Sequence, residues 1–266
     1  MEGSLNTSIR IGAVVRQALA LGLAVSAMAL FLFVEPHDAR LKADLIGFAT
    51  CHRIPERSLF IAGLQLPLCA RCTGIYLGLL TGWLYLMLRG RTRAAQLPPR
   101  PITAVLIGFI VLLGIDGINS TLMLIPGAPH LYETENWMRL LTGSLYGLAI
   151  SMLLTPYVTV TLWREPSGER TLKDWGELLL LVNLAAVLAM LALTEADFLF
   201  WPLVVVSVVG VLGLMGLMNT SIVTIAAGRV NVYRGWRQLA VPLLFGVVLS
   251  LVEFVAIGAF RASLAV

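Results

Sequence analysis

Long apolar runs, interrupted by short clusters of charge, proline or polar residues, dominate the chain. A bilayer's hydrocarbon core of about 30 Å takes roughly 20 apolar residues per spanning helix. Windows of that length fall at approximately 14–34, 67–88, 102–124, 139–162, 177–195, 198–220 and 239–260. The pattern predicts an all-α fold, a polytopic transmembrane helical bundle of about seven spans. The weakest division separates the fifth and sixth spans, where Thr194, Glu195, Ala196 and Asp197 are the only break, before Pro202 opens the sixth. The first span follows Arg10 and Arg16, and its apolar run of about 18 residues exceeds the 7–15 of a secretory signal, so it reads as a retained anchor. Three regions follow: an N-terminal span and loop start (1–44), a core of spans two to four with a Cys/His loop (45–162), and a C-terminal three-span region (163–266).

Composition agrees with the pattern and excludes other classes. Hydrophobic residues make up 58% of the chain and charged residues 13%, against about 25% charged in soluble domains. A soluble enzyme or a disordered chain is therefore excluded, and no nucleic-acid partner is expected despite a pI near 9.2. The lipid bilayer is the expected surrounding. If the N-terminus is cytoplasmic, Arg10, Arg16, Arg89, Arg91, Arg93, Arg100, Arg164, Arg170, Lys173, Arg229, Arg234 and Arg237 lie inside. Arg40, Lys42, Arg53, Arg57, Arg71, Arg139 and Arg261 then lie outside. The excess of basic residues inside favours this orientation, with the protein multi-pass in the inner (cytoplasmic) cell membrane.

Five of the seven outer basic residues fall between positions 40 and 71, in the same stretch as all three cysteines. The segment reads Cys51-His52-Arg53-Ile54-Pro55-Glu56-Arg57-Ser58, then Gln65-Leu66-Pro67-Leu68-Cys69-Ala70-Arg71-Cys72-Thr73-Gly74. Pro67 suits the first turn of span two, since its missing N–H is unpaired there anyway. That turn would carry Cys69 and Cys72 on one face, where the positive helix end and Arg71 favour thiolate. Three readings stay open: a zinc-type site of Cys51, His52, Cys69 and Cys72; thiol redox chemistry coupled to a quinone; and packed thiols or one structural disulfide. Further polar residues lie at the same depth. Asp116 and Asn119 share one face of span three, and Asn136, Arg139 and Thr142 form a stripe opening span four. Asp116 and Arg139 are candidate catalytic residues, or simply a structural ion pair. Arg53, Arg57, Arg71, Asn119 and Asn136 are candidates for binding substrate, because guanidinium groups recognise phosphate. Glycines at 74, 78 and 82 in span two, and at 143 and 147 with Ser151 in span four, predict close packing of these two helices.

The run from Cys51 to Gly78, the later Asp116-Gly117 and the Asn136-x-x-Arg139-x-x-Thr142-Gly143 pattern resemble a family of prokaryotic membrane proteins, domain of unknown function 2085. The resemblance covers roughly residues 45–160 and implies no established activity.

The leading functional reading is a membrane protein with an outward-facing Cys/His metal site of zinc type, acting as a metal-dependent enzyme on a lipid-borne anionic group. The alternative is a quinone-linked thiol oxidoreductase. It is similar in principle to the vitamin K epoxide reductase and disulfide-bond-forming B families, but this chain has only three cysteines. A transporter using Asp116 and Glu253, or a structural subunit of a membrane complex, are the remaining classes.

Overall fold

The computed structural model describes residues 37–264 of the 266-residue chain. The anchor predicted at 14–34 lies outside the described residues. Seven helices and two small sheets follow in chain order. They are α1 (Ala39–Thr50), β1 (Ser58–Ile61), β2 (Leu64–Cys69), α2 (Ala70–Leu88), β3 (Ala94–Gln96), α3 (Arg100–Leu122), α4 (Asn136–Leu162), β4 (Ser167–Arg170), α5 (Trp175–Ala192), α6 (Phe200–Ala226) and α7 (Trp236–Leu264). The helical bundle expected from the apolar windows is present. Helices α3, α4, α5, α6 (with its preceding turn) and α7 are each long and apolar enough to cross a membrane. Helix α2, with 19 residues, is more deeply embedded and packs against α4, α5 and α6.

The glycine repeat explains how α2 and α4 meet. A Cβ on Gly74 would overlap the Leu140 carbonyl, one on Gly78 the Ser144 carbonyl, and one on Gly147 the Ile75 carbonyl. Backbone therefore lies directly on backbone, as small residues at four-residue spacing permit. The outer helices differ. Ile107, Val111, Leu112 and Ile115 on α3, Leu179, Leu180, Val187 and Met190 on α5, and Val252, Val255 and Phe260 on α7 are exposed. Apolar faces of that extent are suited to lipid rather than water.

The segment between α1 and α2 departs from expectation. Pro67 does not open the helix: it lies in β2, which pairs antiparallel with β1 through Ile61↔Leu64, Phe60↔Gln65 and Ser58↔Cys69. Ala62 and Gly63 both have positive φ (52° and 73°), the requirement of a two-residue hairpin turn. Proline is tolerated because each strand of a two-stranded ribbon has an edge where no N–H is needed. Leu59, Ile61, Leu66 and Leu68 of the hairpin are almost fully inaccessible. Leu59, Ile61 and Leu66 anchor it in a core shared with Leu77 of α2, Leu140 of α4 and Leu203 of α6, while Leu68 packs beside Cys51 and Cys69. Helix α1 is capped by Asp38, whose Oδ1 accepts the Arg40 N–H at 2.8 Å, and its Gly47 fits against the Pro67 carbonyl.

A candidate metal centre flanked by arginines

These local structures deliver three thiols to one place. Cys51 is the residue that ends α1, Cys69 ends β2 and precedes α2, and Cys72 lies in the first turn of α2. Their sulfurs all lie within 4.8 Å of one another, and all three cysteines are free thiols. A tetrahedral zinc with Zn–S of about 2.3 Å requires sulfurs roughly 3.8 Å apart, so only a small contraction separates the trio from a ligand set. The Cys69 N–H donates to Cys51 Sγ at 3.3 Å, and the positive end of α2 faces the same sulfurs. Hydrogen bonds from the Cys69 and Cys72 thiols hold the Cys51 thiol well below its ordinary pKa. The same hydrogen bond with Cys51 pushes Cys69 up to about 11.

The walls come from distant parts of the chain. Ile46, Ala49, Leu68, Val211 of α6 and Phe254 of α7 pack around Cys51 and Cys69. Arg261, near the end of α7, donates to the Phe48 carbonyl and, at 2.9 Å, to the Cys51 carbonyl. Its guanidinium lies 4.7 Å from the centre of the Phe48 ring. Sequence reasoning missed this role because Arg261 stands about 210 residues from its partners and carries no local motif. Gln65 was missed as well. Its amide donates to the Arg53 carbonyl and the Ser58 hydroxyl, both at 2.9 Å, tying the Cys51 turn to the hairpin.

His52 stands apart from the trio. It is exposed, and its Nδ1 accepts the Ile54 N–H at 3.1 Å. Asp116 is fully buried, and its partner is Arg71, not Arg139. The expected Asp116–Arg139 pair is replaced because Arg71, at the start of α2, reaches across to α3. Arg71 Nε donates to Asp116 Oδ2 at 3.1 Å, and its Nη2 binds the same oxygen and the Asp116 carbonyl. Tyr132 donates to Asp116 Oδ1 at 3.1 Å, and burial next to that carboxylate raises the Tyr132 pKa. Asn119 braces the loop before α4: it donates to the Tyr132 carbonyl and Thr134 Oγ1, and accepts the Leu131 N–H.

The four arginines named from the sequence therefore separate into two kinds. Arg53 pairs with Asp44 at 2.7 Å and Arg71 with Asp116. Arg139 has no carboxylate within reach: Nη1 donates to Asn136 Oδ1 at 3.0 Å, Nη2 to Ser120 Oγ at 3.4 Å, and the buried Nε has no partner. Arg57, 8% exposed, makes no side-chain hydrogen bond or ion pair among the described residues. Burial, with Arg71 nearby, lowers its pKa. Asn136 joins the two, because its amide also donates to the Glu56 and Ser58 carbonyls on either side of Arg57.

The fold and site define a polytopic helical membrane protein with a buried thiol cluster at one end of its bundle. The chain belongs to the family described as a predicted membrane protein, domain of unknown function 2085, which matches residues 51–153. The match begins at the first cysteine of the trio and ends within α4. An uncharacterised protein of Methanocaldococcus jannaschii is 32% identical over 106 residues, which are 40% of this chain and 62% of that protein. An uncharacterised protein of Methanothermobacter thermautotrophicus is 35% identical over 103 residues, 39% of this chain and 82% of its own length. No solved structure matches the chain.

Proposed function

We propose that Cys51, Cys69 and Cys72 bind a zinc-type ion on the outer face of the cell membrane, and that the bound ion serves an enzyme acting on a lipid-borne anionic group. The observation that carries this reading is the convergence of three free thiols, from three separate elements, within 4.8 Å. Three thiolates leave a fourth position for water or substrate, the open coordination of catalytic rather than structural zinc. The thiol cluster lies beside a set of arginines, the residues suited to an anionic substrate.

Thiol–quinone exchange has less support. An apolar cavity of about 350 Å³ lies among Trp83, Met87, Trp163, Gly213, Trp236 and Leu243. It opens eleven residues along α2 from Cys72, about 16 Å at the rise of a helix. A quinone there would sit far from the sulfurs.

Elemental analysis of protein purified without added metal tests the proposal. One zinc per chain is expected, falling below a tenth in Cys69→Ser, and His52→Ala should keep its zinc if the fourth position is open. Metal-free native protein, or zinc content indifferent to Cys69→Ser, overturns the reading. A membrane-impermeant maleimide applied to intact cells after chelation should label the thiols only if they face outward.

A further inference from the structure

Two arginines buried beside the thiol trio make no ion pair among the described residues: Glu56 acts on Arg57, and Asp116 on Arg139, only from a distance. Arg139 is 5% exposed and Arg57 8% exposed. An ionised group removed from water costs several kcal/mol unless it is paired and hydrogen-bonded. Elsewhere in the molecule this condition is met: Arg91, 5% exposed, is bidentate to Glu177. At the cysteine end Asp116 is already committed to Arg71, Tyr132 and Thr142. Asp44 is committed to Arg53.

Asn136 fixes the two unpaired groups relative to each other. Its Oδ1 accepts from Arg139 while its Nδ2 holds the carbonyls before and after Arg57. Arg57 is the strongest charged neighbour of Arg139, and Cys69 lies within electrostatic reach of both. A neutral amide therefore ties the Arg139 guanidinium to the backbone that carries Arg57, and the two like charges act on each other. Arg139 Nε points into buried space with no acceptor, and so does the hydroxyl of Thr73, which is fully buried. Thr73 and Arg139 are the residues immediately before Gly74 and Leu140, where α2 and α4 touch.

We infer that Arg57 and Arg139 form a binding site for a phosphate oxyanion, with Asn136 as the brace that sets their spacing. The planar donors of two guanidinium groups match the oxygens of a phosphate, and an oxyanion supplies the missing acceptor for Arg139 Nε. Charge agrees with this class of ligand. A divalent ion on three thiolates carries a net charge of −1, and the two arginines supply +2, so the neighbourhood favours one further negative charge. This inference rests on the metal-site reading only for that balance and for what the anion would be bound to do. Phosphate chemistry is shared by a phospholipid headgroup and by free phosphate, and the experiment separates them.

Full-length protein in maltoside detergent is titrated in one arm with inorganic phosphate and in the other with phosphatidylglycerol in mixed micelles. Affinity is read by native mass spectrometry and by the rise in unfolding temperature that a ligand binding only the folded state must cause. Zinc is measured on the same samples. Saturable binding is expected in at least one arm: phosphatidylglycerol alone identifies a lipid headgroup, and phosphate alone a free anion. Arg57→Gln should weaken that binding at least tenfold, and Arg139→Lys, which keeps the charge but loses the planar fork, at least fivefold. Arg229→Gln, an exposed arginine elsewhere, should leave it within twofold. Cys69→Ser should lose zinc yet still bind the anion, so the two readings can fail separately. No binding in either arm overturns the inference. So does binding unchanged in both Arg57→Gln and Arg139→Lys, or a fall in zinc affinity alone, since the arginines would then serve only to offset the thiolates.

Discussion

Arginine is handled in opposite ways at the two ends of the bundle. At the end away from the cysteines, Glu177 gathers most of the donors near it, and Glu169 pairs with Arg91 and Lys173. Glu177 accepts Arg91 Nη1 and Nη2 at 2.8 and 2.9 Å, Arg89 Nη2 at 3.1 Å and the Lys173 N–H at 2.8 Å. The parallel pairing of β3 with β4 holds the same neighbourhood together, and Arg93 lies 3.9 Å from the centre of the Trp163 ring. Among the described residues, the buried charges there, Arg91 and Glu177, are paired with each other. At the cysteine end, buried guanidinium groups outnumber the carboxylates that answer them. The contrast separates charges that hold helices in place from charges that no ion pair commits.

Breaking the satisfied end should have the largest effect. Glu177→Gln leaves the buried Arg91 with only the half-exposed Glu169, 3.4 Å from its Nε, and should destabilise the protein by about 3 kcal/mol, the lower end for a broken buried pair, measured by urea unfolding in detergent, with zinc content unchanged in the fraction that remains folded. An intermediate effect is expected from Arg261→Gln, which releases the Phe48 and Cys51 carbonyls. Partners that orient a metal ligand are worth about 10–100-fold in affinity. Competition with a zinc chelator should show a loss near the lower end of that range. The smallest effect sharpens the comparison most. Arg57→Gln removes a buried charge that no ion pair offsets, so without phosphate its stability should equal or exceed that of the parent. A loss as large as that of Glu177→Gln would show that the two ends do not differ.

The spans were legible because lipid imposes a simple rule: α3 to α7, the described helices long and apolar enough to cross, overlap the windows read from hydropathy, and α2 fills most of the window at 67–88. The packing of α2 on α4 was legible too, since Gly74, Gly78, Gly143 and Gly147 have only one economical use. The cysteine end was legible in composition but not in connection. Leu59-Phe60-Ile61 and Leu64-Gln65-Leu66 around Ala62-Gly63 carried a hairpin signal, obscured by a proline that serves equally well at a helix start or a strand edge. The Arg71–Asp116 pair could not be chosen over Arg139–Asp116 from spacing along single helices, because the choice depends on how α2, α3 and α4 rotate against one another. The same rotation decides which arginines remain unpaired.

The backbone contact between α2 and α4 bears on what an ion would do mechanically. Two helices wedged carbonyl against glycine can neither slide nor turn without collision, so Cys72, in the first turn of α2, and Cys69 just before it ride on a close-packed seam. Cys51 rides on α1, which reaches that seam through the Gly47–Pro67 contact and is held from the other side by Arg261. An ion bridging the three sulfurs would therefore act as a rivet, joining a lighter plate to a rigid frame and fixing the distance between them.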